Sequence, residues 1–137
     1  MYLLRFSHLP LSLLIISLWL ATPASSAAQE AFAPTPIYRI QGNGPTTRLA
    51  DRWVDVVGVV TGVTKAGFYL QDPSGDGDPA SSDGIYVYTY DPPSVTPGEC
   101  VLIQRALVSE FYGKTELSRM RTVSADTRCT TTNIAPV

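Results

Sequence analysis

Histidine is nearly absent from this sequence: the 137 residues contain one, His8, and it lies in an amino-terminal segment that reads as a removable leader. The rest of the chain therefore lacks the side chain most often used as a general base near neutral pH. Cysteine is scarce as well, with only Cys100 and Cys129. In an exported chain these two meet oxidising conditions and the simplest expectation is a disulfide, the alternative being two free thiols. Bonded cysteines and no histidine together remove Ser/His and Cys/His nucleophilic chemistry. A basic surplus is also missing, so bulk charge does not mark a polyanion-binding protein. No internal repeat is present, and no amphipathic helical periodicity is found after the leader.

The leader is assigned to residues 1–27. Arg5 supplies a positive start, Leu9 to Ala21 forms an apolar run broken by Pro10, Ser12 and Ser17, and Ala24-Ser25-Ser26-Ala27-Ala28 offers small residues for cleavage after Ala27 or Ala28. An uncleaved anchor is the competing reading. The apolar run, however, is shorter than the roughly 20 residues a spanning helix needs and is followed by Pro23. Cleavage removes Arg5 and His8 and leaves nine Lys and Arg against twelve Asp and Glu, a net charge of −3. The expectation is a secreted protein, extracellular or periplasmic, with no membrane attachment after cleavage.

Residues 28–36 are rich in Ala and Pro, without periodicity, and are expected to be a disordered lead into a domain over 37–129, followed by a tail at 130–137. Within the domain, Trp53 to Val63 is a long β-branched run, with Gly58 suggesting a bulge or bend of the kind small barrels use at corners. Gly67 to Gln71 gives a second strand and Gly84 to Tyr90 a third with clean alternation. After a loop with three prolines, Glu99 to Phe111 and Lys114 to Ser124 supply a fourth and a fifth, turned by Tyr112-Gly113. The fold class expected is all-β, a small five-stranded OB-fold-like barrel preceded by a signal peptide. Its core is predicted to hold Val54, Val56, Val59, Phe68, Leu70, Ile85, Val87, Val101, Ile103, Leu107 and Leu117.

Three stretches carry a family likeness: Val57 to Val63, Gly67 to Pro79 with its Gln71-Asp72-Pro73-Ser74-Gly75-Asp76-Gly77-Asp78, and Ser82 to Tyr88. With the Glu110-Phe111-Tyr112-Gly113 turn, they resemble the OB-fold module of large secreted bacterial nucleases. In that family the module precedes a metal-dependent endonuclease/exonuclease/phosphatase-type domain or another nuclease domain. The sequence ends at Val137, where such a domain would be expected to begin, so what the resemblance implies is a noncatalytic module that binds or positions single-stranded nucleic acid, DNA ahead of RNA, as accessory to a nuclease domain or chain or as the truncated remnant of one. Staphylococcal-type nuclease is a catalytic OB-fold, but its arginine and carboxylate cluster is not recognisable here.

Three candidate sites follow. Asp72, Asp76, Asp78 and Asp83 fall within twelve residues that contain no Lys or Arg. Such a group would bind a hard cation, with Ca²⁺ the natural candidate, or else close Asx-turns in a solvated loop. The spacing does not match an EF-hand. If Ile85 and Val87 point inward, Tyr86, Tyr88 and Tyr90 project outward beside Tyr69, a platform on which bases stack; the opposite register would put them in the core. Arg119 and Arg121 alternate onto one face and would hold a phosphate pair or stand as solvated charge. Against the nucleic-acid reading stands a structural module, stabilised by Ca²⁺ in the acidic loop.

Overall fold

The computed structural model describes residues 33–129. The signal segment assigned to 1–27 and the tail at 130–137 lie outside the described residues. In chain order the elements are α1 (Ile37–Gln41), β1 (Trp53–Thr64), β2 (Gly67–Gln71), β3 (Gly84–Tyr88), β4 (Cys100–Phe111), β5 (Lys114–Ser118) and β6 (Thr122–Ala125).

The long first strand belongs to two walls at once. Residues 53–59 of β1 pair antiparallel with β4, and residues 59–64 pair antiparallel with β2. That sharing requires a bend, and Gly58 sits where it happens: a Cβ there would lie 2.5 Å from Leu70 Cγ and 2.8 Å from the Gln71 carbonyl oxygen. Its role is close approach of backbone to a neighbouring strand. The register shifts themselves fall on either side, between Val54 and Val56 and between Val60 and Gly62. The β2–β3 and β4–β5 pairs are antiparallel, the β3–β5 pair is parallel, and β1–β4 closes the ring. The result is an all-β, OB-like closed barrel of five strands, as the sequence pattern implies, with β6 added outside on β4.

The core fills from the alternating inward residues. Phe68 and Leu70 of β2, Ile85 and Val87 of β3, Val101 and Ile103 of β4 and Leu117 of β5 are all buried, with Val54, Val56 and Val59 of β1. Burial of each such side chain is worth roughly 1.5–3 kcal/mol, so these positions fix the register of every strand they occupy.

Five features depart from the sequence reading. Leu107, expected in the core, is partly exposed, while Ala106 and Val108 are fully buried. The cause is a bulge at Arg105, whose φ is +52° and whose N–H donates to Asp55 Oδ1 at 2.7 Å; one extra residue reverses the alternation beyond it. The expected strand Lys114 to Ser124 is two strands, because Arg119 takes a φ of +50° directly after Ser118. Likewise β3 stops at Tyr88, and Tyr90 has a φ of +67°.

The fourth and fifth features lie upstream. A one-turn helix, α1, seals the barrel with Ile37 and Ile40, both fully buried. Five residues are too few to show helical periodicity, so nothing in the pattern announced it. The segment expected to be disordered is tied down from Thr35, whose N–H donates to the Asp55 carbonyl at 2.7 Å.

Two local expectations are met. Tyr112 and Gly113, with φ of +49° and +77°, make the two-residue turn between β4 and β5, the left-handed pair that matches strand twist. Cys100 and Cys129 are disulfide-bonded, with Cα atoms 5.8 Å apart.

Candidate functional site

Because Phe68, Leu70, Ile85 and Val87 point inward, period-2 alternation sends Tyr69, Tyr86 and Tyr88 outward. The register then lines up one row across four strands: Tyr69 pairs with Tyr86, Tyr86 with Glu116, and Glu116 with Ser109. The Tyr69 and Tyr86 rings lie 5.1 Å apart, centroid to centroid, and are tilted by 57°, within the range where aromatic pairs attract.

Tyr86 is held on several sides. Its hydroxyl is 3.0 Å from Thr64 Oγ1, and the Lys114 ammonium stands 4.1 Å above its ring centroid, a cation–π geometry. Lys114 is in turn ion-paired to Glu116 at 2.9 Å. Gly67 makes the space: a Cβ there would fall 2.6 Å from the Tyr86 hydroxyl and 2.1 Å from the Val87 carbonyl oxygen. Tyr69 is freer, at 51 % exposed. Beyond the strand end, Tyr90 turns back so that its ring is 4.6 Å from that of Tyr88.

These side chains line a cleft of about 870 Å³ that also takes in Thr64, Asp51, Leu107, Ser109, Glu110, Phe111, Lys114, Glu116, Ser118 and Arg119. Of its charges, Lys114 and Arg119 are positive, while Asp51, Glu110 and Glu116 are negative. A second cleft of about 580 Å³ shares Tyr69, Tyr86 and Lys114 and continues towards Gln41, Gln71 and Ser82. The Tyr69–Tyr86 pair thus borders both.

The four expected tyrosines meet in one cleft. The two arginines do not: Arg119 lines it, whereas Arg121 is not among its lining residues and lies before β6, its N–H donating to the Gln104 carbonyl at 3.0 Å. The alternation argument for a phosphate pair fails because neither residue is in a strand. Glu116 and Phe111 were not singled out from the sequence. Alternation with the buried Leu117 was the signal that would have turned Lys114 and Glu116 outward.

Three of the four aspartates, Asp72, Asp76 and Asp78, accept hydrogen bonds within this loop and its neighbours. Asp72, buried, accepts the Ile37 N–H at 2.9 Å through Oδ2 and the Ser74 and Gly75 N–H groups at 3.0 and 3.1 Å through Oδ1. It therefore closes its own loop and satisfies the first turn of α1 from outside the helix. Asp76 accepts from Asp78 N–H and the Ser81 hydroxyl, and Asp78 from Ala80 N–H and the Asn43 amide. Asp83 has one buried oxygen, Oδ1, without a hydrogen-bond partner, but no group of three or more His, Cys, Asp or Glu side chains that could hold a metal forms among the described residues.

Just after β6, Arg128 bonds Asp126 through Nε and Nη2, the latter at 2.7 Å. That charge-assisted contact pulls the Asp126 carboxyl down to about 2.

Compared with protein-family models, with curated proteins and with solved structures, the chain gives no match.

Proposed function

We propose that this domain is a noncatalytic binding module that takes single-stranded nucleic acid, DNA ahead of RNA, along the outer face of β2, β3 and β5. The observation that carries the reading is the Tyr69–Tyr86 pair, two adjacent aromatic rings 5.1 Å apart at the border of two clefts on a closed OB-like barrel. Barrels of this kind bind oligonucleotides on the second and third strands. Each base stacked on an aromatic ring contributes about 1–3 kcal/mol regardless of its identity.

Stacking, and not phosphate neutralisation, would supply most of the affinity. Only Lys114 and Arg119 are positive in the larger cleft. With about −0.7 per phosphate contact for single strands, the slope of log affinity against log salt would be no steeper than about −1.4. In the setting that the sequence resemblance implies, the module is exported and holds substrate for a nuclease domain or chain. The disulfide is consistent with an oxidising compartment.

The test is fluorescence anisotropy of the mature chain, residues 28–137, with labelled single-stranded oligonucleotides at low salt. Saturable binding with a shallow salt slope supports the reading, and no binding at low salt overturns it.

A further inference from the structure

Glu116 is the least expected member of the cleft. A carboxylate only 6 % exposed sits in the middle of an outer sheet face, directly beside Tyr86 in the register row. Phosphate would be repelled there, so under a backbone-binding reading the residue has no use. Its neighbour supplies the complement: Lys114 Nζ is 2.9 Å from Glu116 Oε2 and 4.1 Å above the Tyr86 ring. Apart from that ion pair, the Glu116 carboxylate makes no side-chain hydrogen bond among the described residues.

Glu116 and Lys114 both line the cleft, with Glu116 Oε2 held by Lys114, so a base edge that enters between them would meet a carboxylate acceptor and an adjacent cationic donor. Base edges differ in how they meet that pattern. The Watson–Crick edge of guanine carries two neighbouring donors, N1–H and the N2 amino group, followed by the O6 acceptor. Adenine offers an amino donor beside the N1 acceptor, and cytosine an amino donor beside N3, so a carboxylate meets a lone pair in each. Thymine places its single N3–H between two carbonyl oxygens.

We infer that Glu116 and Lys114 form a guanine-selecting pair at the stacking face, with Glu116 accepting from N1–H and the N2 amino group and Lys114 donating to O6. The inference rests on the nucleic-acid reading above and names the base which that site prefers. The Lys114–Glu116 ion pair is then the resting form of the pair, which a guanine edge enters with both partners kept satisfied. Tyr69, the more exposed ring, offers the stacking surface.

The experiment measures binding of the mature chain to short thymidine oligomers that carry one guanine, adenine, cytosine or hypoxanthine at the centre, for the native protein and for Glu116→Gln. Two-point base contacts discriminate by roughly 5- to 150-fold, and about tenfold tighter binding of the guanine oligomer is expected. Hypoxanthine lacks the N2 amino group and should lose most of that preference, a readout independent of whether the variant folds. Glu116→Gln should bind the four oligomers alike. Binding without guanine preference, or a preference that hypoxanthine and Glu116→Gln leave intact, overturns the inference while the nucleic-acid reading stands. Failure of every oligomer to bind overturns both.

Discussion

Gly67 and Tyr86 occupy one space: the ring and hydroxyl of Tyr86 lie where a side chain on residue 67 would be, with a Cβ at that position 2.6 Å from the hydroxyl oxygen. An aromatic ring on an outer sheet face is thus closely packed along one edge, while its neighbour Tyr69 stays open. Gly67→Ala should therefore displace Tyr86 and strain β2 against β3. Overpacking of this kind costs about 1–3 kcal/mol, and a fall in thermal midpoint together with loss of the Thr64–Tyr86 contact by NMR would check it.

Asp72 is the aspartate on which stability should depend. Asp72→Ala leaves the N–H groups of Ile37, Ser74 and Gly75 without their acceptor, at a cost of about 3 kcal/mol by denaturant unfolding. Asp76→Ala, in the exposed part of the same loop, should cost under 1 kcal/mol. Because the oxygens of Asp72, Asp76 and Asp78 already accept hydrogen bonds, millimolar Ca²⁺ should leave the thermal midpoint unchanged. A rise with Ca²⁺ would show that the loop rearranges around a cation.

Reducing Cys100–Cys129, which are 29 residues apart, removes a constraint worth about 3.5 kcal/mol in the loop-entropy model. Equilibrium unfolding with and without reductant gives the value directly. The barrel ladders do not pass through this bond, so the fold should survive reduction with a lower midpoint.

The Asp126–Arg128 pair makes a pH-dependent contribution of known sign. The carboxyl is lowered from 3.8 to about 2 by the Arg128 hydrogen bonds. Its contribution is therefore fully present above the unfolded value of 3.8 and is lost as the pH falls through about 2. Carboxyl-detected NMR should show Asp126 titrating near 2 in the native protein and near 3.8 after Arg128→Met.

The strands with clean alternation were legible because their inward residues are large and apolar: Phe68 and Leu70, then Ile85 and Val87. Where the backbone turns left-handed at an ordinary residue, the pattern misleads. Arg105 and Arg119 both do so, and no arginine announces positive φ. The first misplaced Leu107 in the core, and the second joined β5 to β6 and paired Arg119 with Arg121. The outward set Tyr69, Tyr86 and Tyr88 follows from alternation once Ile85 and Val87 are placed inward, whereas Tyr90 joins it through a left-handed residue beyond the strand end. Their partner Glu116 was not legible, because the pairing of β3 with β5 is parallel and joins residues thirty positions apart in the chain. Asp72 shows the same limit: its acceptor role depends on Ile37, across the barrel end.

The most direct measurement is the affinity of the mature chain for single-stranded DNA with Tyr69 and Tyr86 changed to Ala, singly and together, in low salt. Native protein should bind, and each single change should weaken binding by about 1–3 kcal/mol, or five- to 150-fold, with a thermal midpoint close to native for Tyr69→Ala. Native protein that binds equally well after both changes, or that does not bind at all, would contradict the nucleic-acid reading.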